Sequence, residues 1–181
     1  MTVTDDRPTA VLGSRQLRKE DPALLTGEAK YANDLNIPGA LHLVLVRSPY
    51  AHAKIKKVDL SAAKAAPGVV AVYDGPSAAS LWAAPMPSAW PVTPDMKNPP
   101  HFPIASGKVN YVGDAVACVI ATSEAAARDA AELVDVDYEP LQAVVDLEDA
   151  LSDKVVIHAD AGTNKCYTWD LKIEGTPGQV D

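Results

Sequence analysis

The chain is short of the residues that build metal clusters, grip nucleic acid or cross a membrane. Its two cysteines, Cys118 and Cys166, form no CxxC pair and cannot supply four ligands, which excludes a four-cysteine zinc site or an iron-sulfur cluster built by this chain alone. Cys118 lies inside the apolar run "AVACVIA" and reads as a small buried hydrophobe. Lysine and arginine number 16 against 24 acids, a net charge of -8 with no dense basic cluster, so no nucleic-acid partner is expected. No apolar run approaches the roughly 18 residues of a membrane span. The start, "MTVTDDRPTA", lacks the basic and apolar regions of a signal peptide, and the expectation is a cytoplasmic protein with no membrane span.

Catalytic spacings are equally scarce. The histidines His42, His52, His101 and His158 show no H-x-x-x-H or H-E-x-x-H pattern, and His42 on its strand reads as a core or edge residue. Gly13, Gly27, Gly39 and Gly113 stand alone, and the late "GTPG" has neither a lysine nor a following helix, so no phosphate cradle is expected. Asp135, Asp137 and Glu139 alternate with apolar residues; period two puts all three on one strand face, a solvated or partner-facing edge rather than an acid-base pair.

Proline, by contrast, is abundant. Eight of the 15 prolines fall between Asp74 and Pro103, together with Trp82 and Trp90; proline lacks the backbone donor of a central strand, so this stretch is expected to be an extended loop wrapping a surface. Around it the pattern alternates between strand and short helix. "LHLVLVRS" from Leu41 reads as a strand buried on both faces and "AKIKKVDL" as a second strand. Ser61 is the expected N-cap of "AAKAA", followed by the strand "VVAVYD". "KVNYVGDAVACVIATS" reads as a strand interrupted by a tight turn or bulge near Gly113-Asp114. Thr122 or Ser123 caps the helix "EAAARDAAELVD", with an apolar stripe through Ala127, Ala130 and Val134 among others. "VDVDYEP", the helix "LEDAL" capped by Asp146, and a last strand "VVIH" complete the pattern. The expected class is α+β: a mixed sheet with short helices inserted between strands and a proline-rich loop.

"VRSPYAHAKI", Val46 to Ile55, is the stretch most like a catalytic loop. Ser48 and His52 stand four residues apart, but there is no G-x-S-x-G elbow and no acid placed to orient the histidine. The expected role is structural: Ser48 and Pro49 form a turn, His52 donates to a carbonyl, and Arg47 pairs with a carboxylate, the acidic strand "VDVDYE" being the candidate source. No residue is assigned as catalytic, cofactor-binding or metal-ligating.

The order of motifs carries more. "GEAKYANDL", "PGALHLVLVRSPYAHAKIKKVDLSAAKAAPGVVAVYD", "YVGDAVACVIATSEAAARDAAELVDVDYEPLQAVVDLEDAL" and "VIHADAGTNKCYTWDL" together resemble the N-terminal α/β hammerhead domain of the molybdenum hydroxylases, the xanthine dehydrogenase and aldehyde oxidase family. Within the family the likeness is to large subunits of the aerobic carbon monoxide dehydrogenase type. Residues 1–12 show no period and carry Asp5, Asp6, Arg7 and Pro8 together, so a flexible tail or an arm laid on a partner is expected there; the resemblance implies 13–171 as the hammerhead domain and 172–181 as a linker toward molybdopterin-binding domains absent from the chain. It further implies molybdopterin cytosine dinucleotide as cofactor of the complete enzyme, held by those domains, and iron-sulfur and flavin subunits as electron-accepting partners. A continuation of the chain, by fusion or as a separate gene product, is the corresponding expectation. Two functional readings follow: an inactive scaffold domain of such an oxidoreductase, or a free-standing interaction module anchored by Trp82, Trp90 and Phe102. Those aromatics could equally cover the domain's own sheet.

Overall fold

The computed structural model describes residues 12–169 other than 14, 36, 88, 89 and 92; residues 1–11 of the expected tail and the expected linker 172–181 lie outside the described residues. The chain divides into two compact units, Met1–Ala40 and Leu41–Asp181.

The described residues of the first unit include a short helix, α1 (Asp21–Leu25), with Pro22 in its first turn, and a 3-10 turn at Ala32–Asp34 in which the Asp34 carboxylate accepts from the Tyr31 amide at 2.8 Å. None of its described residues is buried, as the proline and glycine punctuation of this stretch leads one to expect.

The second unit contains β1 (His42–Arg47), β2 (Ala53–Asp59), α2 (Ser61–Ala65), β3 (Val69–Asp74), α3 (Gly75–Ala78), β4 (Lys108–Val109), β5 (Ala115–Ala121), α4 (Glu124–Glu132), β6 (Asp135–Pro140) and α5 (Leu147–Leu151). The α+β class and the inserted short helices match expectation, but the strands form two three-stranded sheets, ordered β1-β5-β3 and β4-β2-β6. Every pairing is antiparallel, so the single mixed sheet is corrected to two antiparallel ones. The reason lies at "KVNYVGDAVACVIATS". Gly113 takes φ +90, Asp114 N donates to Tyr111 O at 3.2 Å, and the chain turns so sharply that β4 joins one sheet and β5 the other.

β5 is the centre of the first sheet and nearly all of it is buried, which is why its sequence is apolar at every position. Its period-two alternation feeds three clusters. Ala117 and Val119 pack with Leu60, Ala63, Val72 and Ala130 under α2 and α4. Val116 joins Ala53 and Val109 beside the second sheet. Cys118 joins Ala78 and Ile104, with Trp82 and Tyr73 packed against them. The largest fully buried side chains are only valines, so small residues, not aromatics, define this core.

α4 starts where Ser123 Oγ accepts from Ala126 N at 3.2 Å, and α5 where Asp146 accepts from Glu148 N at 2.8 Å, both as expected. α2 differs: Ser61 is its first helical residue, and Asp59 Oδ1 accepts from the Ser61 amide at 3.0 Å. β1 also differs. It is an edge strand with no buried residue and Leu43 56% exposed, because the β1-β5-β3 order leaves one of its sides unpaired. "VVIH" forms no strand; Asn164 captures it, accepting from Ile157 N at 2.9 Å and donating to Val155 O at 2.7 Å, so its backbone bonds go to a side chain.

Candidate functional site

The stretch Arg47 to His52 leaves β1 at a bulge between Val46 and Arg47 and runs beside the Tyr111–Asp114 turn. Two backbone bonds lock the loops reciprocally: Ser48 N donates to Asp114 O and Gly113 N donates to Ser48 O, both at 2.8 Å. Ser48, 2% exposed, spends its hydroxyl on the local turn, accepting from Tyr50 N at 3.0 Å. The neighbouring Tyr138 hydroxyl pKa is raised, chiefly by burial, with Ser48 opposing. The Tyr50 and Tyr138 rings meet at 5.1 Å, tilted by 53°. The Ser48 hydroxyl itself donates to Tyr50 O at 3.1 Å.

His52, 7% exposed, places Nδ1 2.7 Å from Gln142 O, and Leu141 N donates to His52 O at 2.9 Å, so the histidine ties the end of β6 to the start of β2 as expected. Arg47 departs from expectation. Its Nη1 donates to Gly113 O at 2.8 Å instead of meeting a carboxylate of "VDVDYE", because the bulge and the glycine turn aim that carbonyl at the guanidinium. The acids of β6 are used otherwise: Glu139 pairs with Lys54 at 3.1 Å and Lys56 at 3.9 Å across the β2-β6 ladder. Lys54, first, holds the Glu139 carboxyl below the ordinary glutamate range.

Sequence reasoning missed Asp114. It is 4% exposed and accepts from Asn110 N at 3.1 Å, a carboxyl group buried at the turn between the two sheets. Burial, then the Asp114 charge, raises the neighbouring Tyr111 hydroxyl pKa, with Arg47 opposing. The Gly-Asp pair signalled the turn but not the burial.

It also missed where the histidines go. His101 and His158 line a cleft of about 310 Å³ with Lys108, Asp114 and Asp160, and His52 is near enough to influence His158 electrostatically. His42 stays apart on the exposed edge of β1. No cluster of three or more metal-ligating side chains forms among the described residues. Of the two cysteines, Cys118 is buried with its thiol pKa pushed up by burial, and Cys166 is exposed.

A dinucleotide cofactor needs glycines that let backbone press against its phosphates. Gly13, Gly27, Gly39 and Gly113 each adopt positive φ with open space where a Cβ would stand, so they serve turns. The close approach at Gly75 is to Ala105 O, at 2.3 Å from an added Cβ, a contact of backbone with backbone. The described residues thus make no cradle of that kind.

Two three-stranded antiparallel sheets with short helices inserted between their strands, and loops joined at their junction by Arg47, Ser48 and His52, define a domain of the α/β hammerhead type. Residues 26–142 match the family model for the aldehyde oxidase and xanthine dehydrogenase a/b hammerhead domain. The chain belongs to that family and is the hammerhead domain of a molybdenum hydroxylase-family subunit. It is 39% identical to the 6-hydroxypseudooxynicotine dehydrogenase complex subunit gamma of Paenarthrobacter nicotinovorans, over 95% of this chain and 21% of that protein. It is 40% identical to the carbon monoxide dehydrogenase large chain of Afipia carboxidovorans, over 75% of this chain and 16% of the other. Quinoline 2-oxidoreductase from Pseudomonas putida 86 superimposes with a TM-score of 0.65 at 40% identity, covering 79% of this chain and 18% of that one. The chain therefore spans about a fifth or less of the length of the curated relatives it matches. Among the described residues no helix is long and apolar enough to cross a membrane.

Proposed function

We propose that the chain is the noncatalytic scaffold, bounded by residues 13 and 171, of a molybdenum-dependent oxidoreductase large subunit of the carbon monoxide dehydrogenase type. The observation that carries this is that Arg47 Nη1, the Ser48 hydroxyl and His52 Nδ1 all bond to backbone groups, and no Ser48–His52 hydrogen bond joins the two as a nucleophile and its base. In the complete enzyme a small molecule, such as carbon monoxide, an aldehyde or an N-heterocycle, is oxidised at a molybdopterin cytosine dinucleotide. The remaining large-subunit domains carry that cofactor, and iron-sulfur and flavin subunits in the cytoplasm take the electrons. A relative named as one subunit of a dehydrogenase complex supports the assembly.

The test is metal analysis and dye reduction on the purified 181-residue chain with carbon monoxide, benzaldehyde and xanthine in turn. Molybdenum well below one per chain and no substrate-dependent reduction are expected. Stoichiometric molybdenum with turnover would sink the scaffold reading. A free-standing interaction module is the second reading, supported by Trp90, 87% exposed on the proline-rich loop.

A further inference from the structure

A cleft of about 490 Å³ opens between the segment 96–101 and the segment 150–166, a size within the range of small-molecule sites. Neither wall is regular structure apart from α5, yet both are firmly held. Lys97 N donates to Cys166 O at 2.8 Å and Cys166 Sγ to Lys97 O at 3.1 Å, closing one end. Asn164 spends its amide on Ala150, Val155 and Ile157, and Asp153, at φ 52, accepts from Asn164 N at 2.7 Å and Thr163 Oγ1 at 2.7 Å. This much side-chain hydrogen bonding fixes the shape of a loop that buries no core residue.

The lining is mostly apolar, with Met96, Pro99, Ile157 and Ala161, and His101 and His158 add imidazoles. Among the described residues no group hydrogen-bonds to the His158 ring, whereas His101 Nε2 already meets Tyr111 Oη at 3.4 Å. Burial first, then Lys108, His101 and His52, lower the His158 pKa, against an opposing pull from Asp160. The ring is therefore neutral near pH 7 and keeps one nitrogen with a free lone pair, an acceptor in an apolar wall.

We propose that this cleft binds a small, uncharged, mostly apolar molecule that donates one hydrogen bond to His158. The apolar body is covered by Met96, Pro99, Ile157 and Ala161, while the one cationic side chain of the lining, Lys97, is exposed, so the interior of the cleft favours an uncharged ligand. The site is independent of the oxidoreductase reading and requires no cofactor.

Indole and 1-methylindole, nearly equal in shape, differ in the donor, so the pair isolates the proposed bond. Both would be titrated into the isotope-labelled chain and followed by NMR shifts of residues 96–101 and 150–166 and of the His158 ring. Indole is expected to bind about tenfold more tightly than 1-methylindole, one hydrogen bond's worth. The preference should disappear in His158→Phe, which keeps a ring of similar size and removes the acceptor. Ala161→Trp, which fills the cleft, should abolish both, with circular dichroism confirming the fold. Equal affinity for the two probes, shifts confined to another surface, or no binding of either at about 5 mM would each overturn the proposal.

Discussion

Arg47 Nη1 donates to the carbonyl oxygen of Gly113 at 2.8 Å, joining residues 66 positions apart where β1 meets the turn between β4 and β5. This bond and the reciprocal backbone pair through Ser48 hold together loops from the two sheets. Arg47→Ala should lower stability by about 1 kcal/mol, and Arg47→Lys by nearly as much, since charge alone does not restore the guanidinium geometry. Urea unfolding of the three proteins reads the effect, and a lysine variant equal to the parent would show that charge, not geometry, matters.

His52→Ala should cost more, about 2–3 kcal/mol, because it removes a buried ring and leaves Gln142 O without its 2.7 Å partner. A thermal melt unchanged by this substitution, coupled with lost activity when the chain is part of an active enzyme, would contradict the structural role.

Two glycines separate close approach from conformation. At Gly75 an added Cβ would lie 2.3 Å from Ala105 O, so Gly75→Ala should destabilise by about 3 kcal/mol or prevent folding. Gly107 has φ +75 with nothing within 4 Å, so Gly107→Ala should cost only about 1 kcal/mol of backbone strain. Equal denaturation midpoints for the two variants would contradict this assignment.

Acidification should weaken the fold in two stages. The His158 pKa is lowered from 6.5, so the unfolded chain binds its proton first and stability falls as pH drops below 6.5 through the folded value. Glu124 is held below its ordinary 4.5 by Arg128, and Glu139 likewise by Lys54; their contribution is present above 4.5 and lost below it. Both carboxylates are open to solvent, so the second stage is expected to be small and salt-sensitive. Urea midpoints measured across pH should lose the first stage, and only that stage, in His158→Gln.

The thiols should divide by accessibility. Iodoacetamide followed by mass spectrometry should modify Cys166 rapidly and Cys118 only on unfolding, since Cys118 is 7% exposed with its thiol pKa raised by burial. Equal labelling rates in the native chain would contradict the buried assignment.

Much was legible from local chemistry. Ser123 and Asp146 were readable as caps because an N-cap is a contact over two or three residues, and the buried run of β5 because alternation failed there. The turn expected at Ser48 and the carbonyl contact expected of His52 are both present. The partner of Arg47 did not, since a donor chooses among acceptors by position and Gly113 lies far away in sequence.

The sequence by itself determined the α+β class, the family, the short helices with their caps and the absence of familiar catalytic spacings, because these depend on residue order and on contacts within a few positions. Only the tertiary structure decided that the strands split into two antiparallel sheets, that the apolar β1 is an exposed edge, and that Asp114 is buried. It alone brought His52, His101 and His158 into one neighbourhood from three separate loops. Sheet order and burial are set by long-range packing, in which one turn at Gly113 redirects every strand after it, and no local pattern encodes which distant surface a side chain will meet.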